Sequence, residues 1–301
     1  MGSSPAIFTS QQASGQEETE MTKTNVYQIV TDRILAELEK GVIPWQKPWT
    51  GTRSGAYSRS TGRAYSLLNQ FLLGKPGEYL TFKQAQEAGG HVCKGEKASV
   101  VVFWKQIQVD DTDADGNEIK KTIPVLKYYN VFHIDQCEGV EPKYNPEEIG
   151  GFDPDTEAEE IAEAYSTREN MPIINRAGDK AYYSPSNDYV VLPLKEQFND
   201  SAEYYGTLFH ELTHSTGHKS RLDRLANGRA AAFGSSDYGK EELVAVMGAA
   251  ALLTHRGIET SGAIKNSASY INSWIKAIRG DNRLVVSAAG KAENAVNYIL
   301  G

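Results

Sequence analysis

The sequence predicts an α+β protein of two domains, and three observations carry that expectation. Charge is segregated along the chain: residues 21–105 hold 12 Lys and Arg against 6 Asp and Glu, whereas residues 138–170 hold 2 against 11. The acidic run begins with Pro and Gly residues between Glu138 and Phe152, the composition of a linker. The element pattern also changes there, from two helices followed by two β-type runs to a helix, three short β-type runs and further helices. We therefore divide the 301 residues into a disordered N-terminus (1–22), a first domain (23–140), a linker (141–152) and a second domain (153–301).

Met1 to Glu20 is rich in Ser, Gln and Glu, which disfavours a packed core. A first helix is expected over Thr24–Lys40, because Val26, Val30, Ile34 and Leu38 recur every fourth residue and Gly41 follows. Pro44 and Pro48 then exclude helix around Trp45 and Trp49, whose rings suit the core. Thr81-Phe82-Lys83-Gln84 has the form of a capping box opening a short helix that Gly89-Gly90 ends. Val100–Trp104 and Lys127–Phe132 read as strands, with the polar tract around Asp115-Gly116 as a long hairpin loop. Asp111 to Gly116 copies the first half of a calcium-binding loop, but Thr122 stands where the bidentate Glu belongs, so a calcium site is rejected.

In the second domain a helix is expected over Thr156–Ser166, and short strands over Pro172–Asn175, Ala181–Tyr183 and Tyr189–Leu192. A helix capped by Ser201 and ended by Gly217 comes next, then one spanning Lys240–Ala250. An amphipathic helix with Ile264, Tyr270, Ile271, Trp274 and Ile278 as its core side follows, and a last helix over Ser287–Leu300.

Composition bounds the function. A net charge of −8 argues against a uniformly basic nucleic-acid binder, although the first domain is locally basic. Two cysteines, Cys93 and Cys137, make no disulfide framework and suit a reducing compartment. The longest apolar run, Leu243 to Leu253, is too short to span a bilayer, and the first twenty residues lack the form of a secretory signal. We expect a cytoplasmic protein with no membrane partner.

The chemistry-bearing motif is His210-Glu211-Leu212-Thr213-His214. On a helix, residues i and i+4 share a face, so both imidazoles can bind one Zn²⁺. Glu211 lies about 100° round the helix, placed to take a proton from a water at the metal. A third ligand is expected from the next helix. Glu242 is preferred over Glu241 because it lies two turns before the small Ala249-Ala250 face, but adjacent positions differ by only about 100°. Tyr205, Leu208 and Leu212 fall on the opposite, core-facing side. His218 is open to three roles: a further ligand, a transition-state donor or, as preferred, a cap on the helix end, where its charge meets the dipole.

In the first domain, Arg53 to Asn69 interleaves basic and aromatic residues. Unpaired bases stack on aromatic rings while Lys and Arg meet phosphates, so the stretch reads either as a single-strand nucleic-acid contact or as a solvated loop with Tyr rings half in the core. The candidate contacts are Lys47, Tyr57, Arg59, Arg63, Tyr65, Asn69, Lys83, Lys94 and Lys97, with Tyr57 and Tyr65 favoured over the tryptophans as stacking platforms.

Taken together, these residues resemble the ArdC-type antirestriction proteins of mobile elements. In the first domain the similarity rests on Leu38-Glu39-Lys40-Gly41-Val42, Pro44-Trp45, Pro48-Trp49, Thr61-Gly62-Arg63-Ala64-Tyr65, Leu80 to Ala85 and Lys94-Gly95-Glu96-Lys97. In the second it rests on Tyr204-Tyr205, His210 to His218, Arg221-Leu222, Tyr238 and Glu241 to Ala245. The resemblance implies a single-stranded-DNA-binding domain, a zincin-like metallopeptidase domain acting on an unknown protein substrate, and protection of incoming plasmid DNA during conjugation. Two other functions fit the same parts: a non-catalytic DNA-coating protein with structural zinc, and a protease acting on DNA-bound proteins. Similar proteins often carry an acidic residue where this chain has Val246, which leaves the outer partner of a ligand histidine unassigned.

Overall fold

The computed structural model describes residues 25–46, 55–112, 117–144, 154–225, 236–255, 258 and 268–301. The expected N-terminal disorder, Lys47, Trp49, Ile264 and most of the expected linker lie outside these residues.

Helix α1 (Val26–Leu38) is capped by the Asn25 side chain, which accepts the Tyr27 N–H, and buries Val30, Ile34 and Leu38 as its four-residue repeat requires. A short 3₁₀ turn at Pro44–Gln46 seats Trp45, 2% exposed, edge-on against Phe71 and Trp274. The first sheet comprises β1 (Ala56–Ser58), β2 (Gly77–Leu80), β4 (Ser99–Thr112) and β5 (Glu118–His133) in the order β1-β2-β5-β4. β1 and β2 are parallel, and the other pairs are antiparallel. The expected capping box opens α3 (Phe82–Glu87), and β3 (His91–Val92) pairs with β6 (Cys137–Glu138).

Two features of the first half differ from the sequence expectation. The polar tract read as a hairpin loop is mostly strand: β4 and β5 pair continuously from Ser99↔Val131 to Thr112↔Glu118. A ribbon wetted on both faces lacks the apolar alternation that marks a half-buried strand. The interleaved stretch from Arg53 to Asn69, given no helix in the sequence, ends in one: α2 (Leu67–Leu73) begins inside it. This helix closes both edges of the sheet. Asn69 donates to the Val102 carbonyl and accepts the Val102 N–H, each at 2.8 Å, on edge strand β4. Gln70 does the same for Ala56 on edge strand β1, again at 2.8 Å. Edge groups that would otherwise invite another chain are thereby paired.

The second half contains α4 (Pro154–Glu169) and a three-stranded sheet of β7 (Ile173–Asn175), β8 (Tyr182–Ser184) and β9 (Tyr189–Leu192), ordered β7-β9-β8. Helices α5 (Ser201–Ser215), α6 (Ser236–His255), α7 (Ala268–Gly280) and α8 (Leu284–Leu300) follow. The cap of α5 is Asp200 rather than Ser201: its carboxylate accepts the Glu203 N–H at 2.7 Å. Trp274 and Ile278 of α7 are buried as expected.

One apolar cluster joins the two halves. Val30, Ile34, Leu38, Trp45 and Phe71 pack with Leu243, Met247, Trp274 and Val285. Burial at about 25 cal/mol per Å² of apolar surface makes such a shared core a strong coupling between them. Thr31 adds a hydrogen bond to the Asn282 carbonyl at 2.9 Å. Among the described residues no helix is long and apolar enough to cross a membrane.

Candidate metal centre

Helix α5 drives Tyr205, Leu208, Phe209 and Leu212 into the second core, which fixes its rotation. His210 and His214 therefore share the other side, with their Nε2 atoms 3.1 Å apart. Helix α6 lies close across α5, because it presents Gly248 to Thr213: a Cβ there would meet Thr213 Cγ2 at 2.6 Å. That closeness brings Glu242 in. Its Oε2 is 3.5 Å from His210 Nε2 and its Oε1 is 3.3 Å from His214 Nε2. All three donor atoms lie within 4.8 Å of one another, the one cluster of this kind among the described residues. Two imidazole nitrogens and one carboxylate are the donor set of an open divalent-metal site, so these residues fit the ion that the sequence implied.

Glu241, the neighbouring alternative, faces the outer side of the same histidine. Its Oε1 is 3.5 Å from His214 Nδ1. Arg224 holds it with two hydrogen bonds, 2.8 Å from Nη2 and 3.3 Å from Nε, while also donating to the Thr213 carbonyl and the Thr216 hydroxyl. Gly217 permits this: a Cβ there would meet Leu225 at 2.9 Å and the Arg224 guanidinium at 3.3 Å. Glu241 is thus the carboxylate beside the outer nitrogen of His214, while Val246 is buried and offers no charge. No local sequence signal marks Arg224, because only the packing of α6 on α5 brings it to Glu241.

The electrostatics match a cation site. Burial works against charge on His214, yet the carboxylates of Glu241 and Glu242 outweigh it and push the imidazole up to about 10. Burial likewise works against both carboxylates, but His210 and His214 hold Glu242 low, and His214 and Arg224 hold Glu241 low. Glu211, 8% exposed, shares a cavity of about 310 Å³ with the cluster and with Tyr182, Tyr183, Pro185 and Tyr238. His218 stays apart, its Nδ1 2.7 Å from the Ser220 hydroxyl in the turn after α5.

Edge strand β8 borders this cavity. Buried Arg221 fixes its position, joining Asp188 and the Tyr183 hydroxyl in the β8–β9 hairpin to the Ser215 carbonyl at the end of α5.

Of the candidate DNA contacts, Arg63, Tyr65 and Asn69 line one cleft. Tyr57 is 4% exposed, its ring edge-on to Tyr144 and its hydroxyl donating to the Tyr144 carbonyl, so it offers no face to a base. Arg59 is spent on buried Glu78 and the Glu141 carbonyl. Asn69 is the sheet-edge clamp described above. All three make contacts within the fold. Tyr65 is half-buried against the core of the first sheet. Arg63, Lys83, Lys94 and Lys97 are exposed, with Lys83 3.5 Å from Glu87.

A histidine pair on one helix, a glutamate from the next and a small sheet beside them define a zincin-like metallopeptidase unit. Residues 159–291 match the family of zincin-like metallopeptidases, and residues 24–132 match the N-terminal domain of the anti-restriction factor ArdC. The chain belongs to the ArdC antirestriction family. It is 36% identical to the antirestriction ArdC protein of plasmid R388 in its metal-free structure, with a TM-score of 0.71 over 91% of this chain and 96% of that one. Against the Mn(II)-bound structure of the same protein the identity is 34% and the TM-score 0.69, over 91% and 97%. It is 32% identical to the uncharacterized protein y4eC of Sinorhizobium fredii over 94% of each chain. It is also 35% identical to a DNA primase TraC of Escherichia coli, but spans only 20% of that protein's length, and 27% of a second TraC.

Proposed function

We propose that the protein binds single-stranded DNA and cleaves peptide bonds at a zinc site, protecting the DNA of a mobile element from restriction. One observation carries the peptidase reading: His210, His214 and Glu242 converge beside Glu211 in a cavity walled by a sheet edge. His210, His214 and Glu242 would hold the ion. When bound, zinc lowers the pKa of a water to about 7 and polarises a carbonyl. Glu211 is the general base: it accepts the proton of the attacking water and returns it to the leaving amine. Glu241 keeps the His214 Nδ1–H in place, so that Nε2 faces the ion. Strand β8 holds an extended substrate by β-addition, with the scissile carbonyl over Glu211. Zinc is preferred because two imidazoles and one carboxylate suit it, although the same donors accept manganese, the ion in the R388 relative's structure.

The DNA-binding reading rests on the membership of residues 24–132 and on the exposed cations Arg63, Lys83, Lys94 and Lys97. Lys47 and Tyr65 are proposed to join them. The experiment that tests the whole is metal analysis of the purified protein together with peptide release from a protein bound to single-stranded DNA, for wild type and Glu211→Gln. Stoichiometric zinc with release only by wild type supports the enzyme. Stoichiometric zinc with no release by either supports the non-catalytic coating protein instead.

A further inference from the structure

The β4–β5 ribbon carries an exposed aromatic and basic face, anchored to the rest of the fold where Tyr129 meets Tyr65. Side chains alternate between the two faces of a strand, so the register sorts the ribbon without ambiguity. One face holds Val101, Phe103, Lys105, Ile107 and Val109 of β4, opposite Tyr129, Lys127, Val125, Ile123 and Lys121 of β5. At its root Val101 and Val131 are buried with Tyr79 in the core of the first sheet. Immediately beyond, the face emerges into solvent. Phe103 is 40% exposed and Tyr129 38% exposed, with ring centroids 5.5 Å apart.

Cations flank this ring pair. Lys127 stands directly opposite Phe103, and Lys105 is the next residue on the same face of β4. Both are exposed, and neither has an acidic partner among the described residues. No carboxylate occurs on this face until Asp111, which is 3.3 Å from Lys121. A cleft of about 430 Å³ opens at the root, lined by Arg63, Ser58, Thr61, Tyr65, Phe103 and Tyr129. The carboxylate it contains, on Glu293, accepts the Leu67 N–H at 3.0 Å.

We infer that single-stranded DNA lies along this face, with bases stacked on Phe103 and Tyr129 and phosphates held by Lys105, Lys127 and Arg63. This rests on the reading that the chain binds single-stranded DNA. It moves the stacking platform from Tyr57 to the ribbon. The occupant follows from the chemistry. Unpaired lysines around an exposed ring pair match a polyanion that also offers flat apolar faces. Duplex DNA offers the charge but not the faces.

The test is titration of the full chain with a fluorescent oligothymidylate at several salt concentrations, using wild type, Phe103→Ala, Tyr129→Leu and the double variant Lys105→Gln/Lys127→Gln. Each aromatic variant is expected to weaken binding about tenfold. The double lysine variant is expected to flatten the slope of log affinity against log salt by about 1.4, as two phosphate contacts on a single strand require. The lysines are exposed, so the double variant keeps the wild-type melting temperature and isolates the charge even if an aromatic variant is destabilised. If wild type binds and all variants match it in affinity and slope, the ribbon is not the platform and the DNA-binding reading stands. If wild type itself does not bind, that reading and the platform fall together.

Discussion

Glu241 Oε1 lies 3.5 Å from Nδ1 of His214, on the side of the ring away from Glu242. One imidazole is thus held between carboxylates of adjacent residues, each addressing a different nitrogen. Successive residues on a helix diverge by about 100°, so this arrangement needs the His214 ring to lie edge-on between them. The outer contact orients the ring and raises its basicity toward an ion. Glu241→Gln is expected to lower metal affinity about ten- to a hundredfold while keeping one site per chain at saturation. Competition titration against a chromophoric chelator measures it, and unchanged affinity would remove Glu241 from the site.

Metal loading itself is expected to reach one ion per chain in wild type and to be lost in His210→Ala/His214→Ala. Loaded wild type is also expected to melt higher than chelator-treated protein, by an amount that grows with free metal, because an ion bound only by the folded state stabilises it by mass action. The double variant is expected to melt at the same temperature with and without metal. Elemental analysis and calorimetry read both, and a fully loaded double variant would disprove the site.

Glu211→Gln removes a proton acceptor without changing size. Metal content, melting temperature and DNA affinity are expected to hold, while peptide release falls at least about a hundredfold, the usual weight of a general base. Release at the wild-type rate would assign the base elsewhere.

How much of this was legible in the chain follows from how local each signal is. The spacing of His210 and His214, and the core side formed by Tyr205, Leu208 and Leu212, belong to one helix and are readable from period alone. The choice between Glu241 and Glu242 was readable only to within one residue. It depends on the rotation of α6 against α5, which the Gly248 contact with Thr213 fixes. Arg224 was invisible for the same reason. In the first domain the interleaved Arg and Tyr residues carry no sign of their burial, because a ring in the core and a ring on the surface leave the same pattern. Tyr57 and Asn69 went inward, whereas Phe103, inside a run read as an apolar strand, came out.

Asn69 separates a structural from a DNA-contact role. Asn69→Ala leaves the Val102 N–H and carbonyl unpaired at a covered sheet edge, which is expected to cost about 1–3 kcal/mol. Chemical denaturation checks the loss. The folded fraction is expected to bind single-stranded DNA with unchanged affinity, and a binding defect at full stability would return Asn69 to the interface.

The Arg221 and Asp188 pair sets an acid limb of stability. Burial alone would raise the Asp188 carboxyl, but the Arg221 guanidinium and the Tyr183 hydroxyl, 2.7 Å away, hold it below the ordinary range. A carboxyl depressed in the folded state contributes stability that is present above its unfolded value of about 3.9 and is lost as pH falls through the folded value. Stability from this pair is therefore expected to be level from about pH 5 to 7 and to decline below about pH 4. Asp188→Asn tests the charge cleanly. Asp188 has φ of 52°, in the left-handed region that Asn tolerates as well as Asp, so the backbone need not move. The variant leaves Arg221, with only 1% of its side chain exposed, with Glu169 at 3.9 Å as its remaining carboxylate. A loss of about 1.5–3 kcal/mol at pH 7 is expected, the worth of hydrogen bonds to a charged group. The difference between wild type and variant is expected to shrink as pH drops toward 3, because wild type then loses the same charge. Urea midpoints at pH 3.5, 5 and 7 measure it on both proteins with the same metal load. A difference that stays constant across that range would mean that Asp188 supplies shape rather than charge to the wall of the cavity.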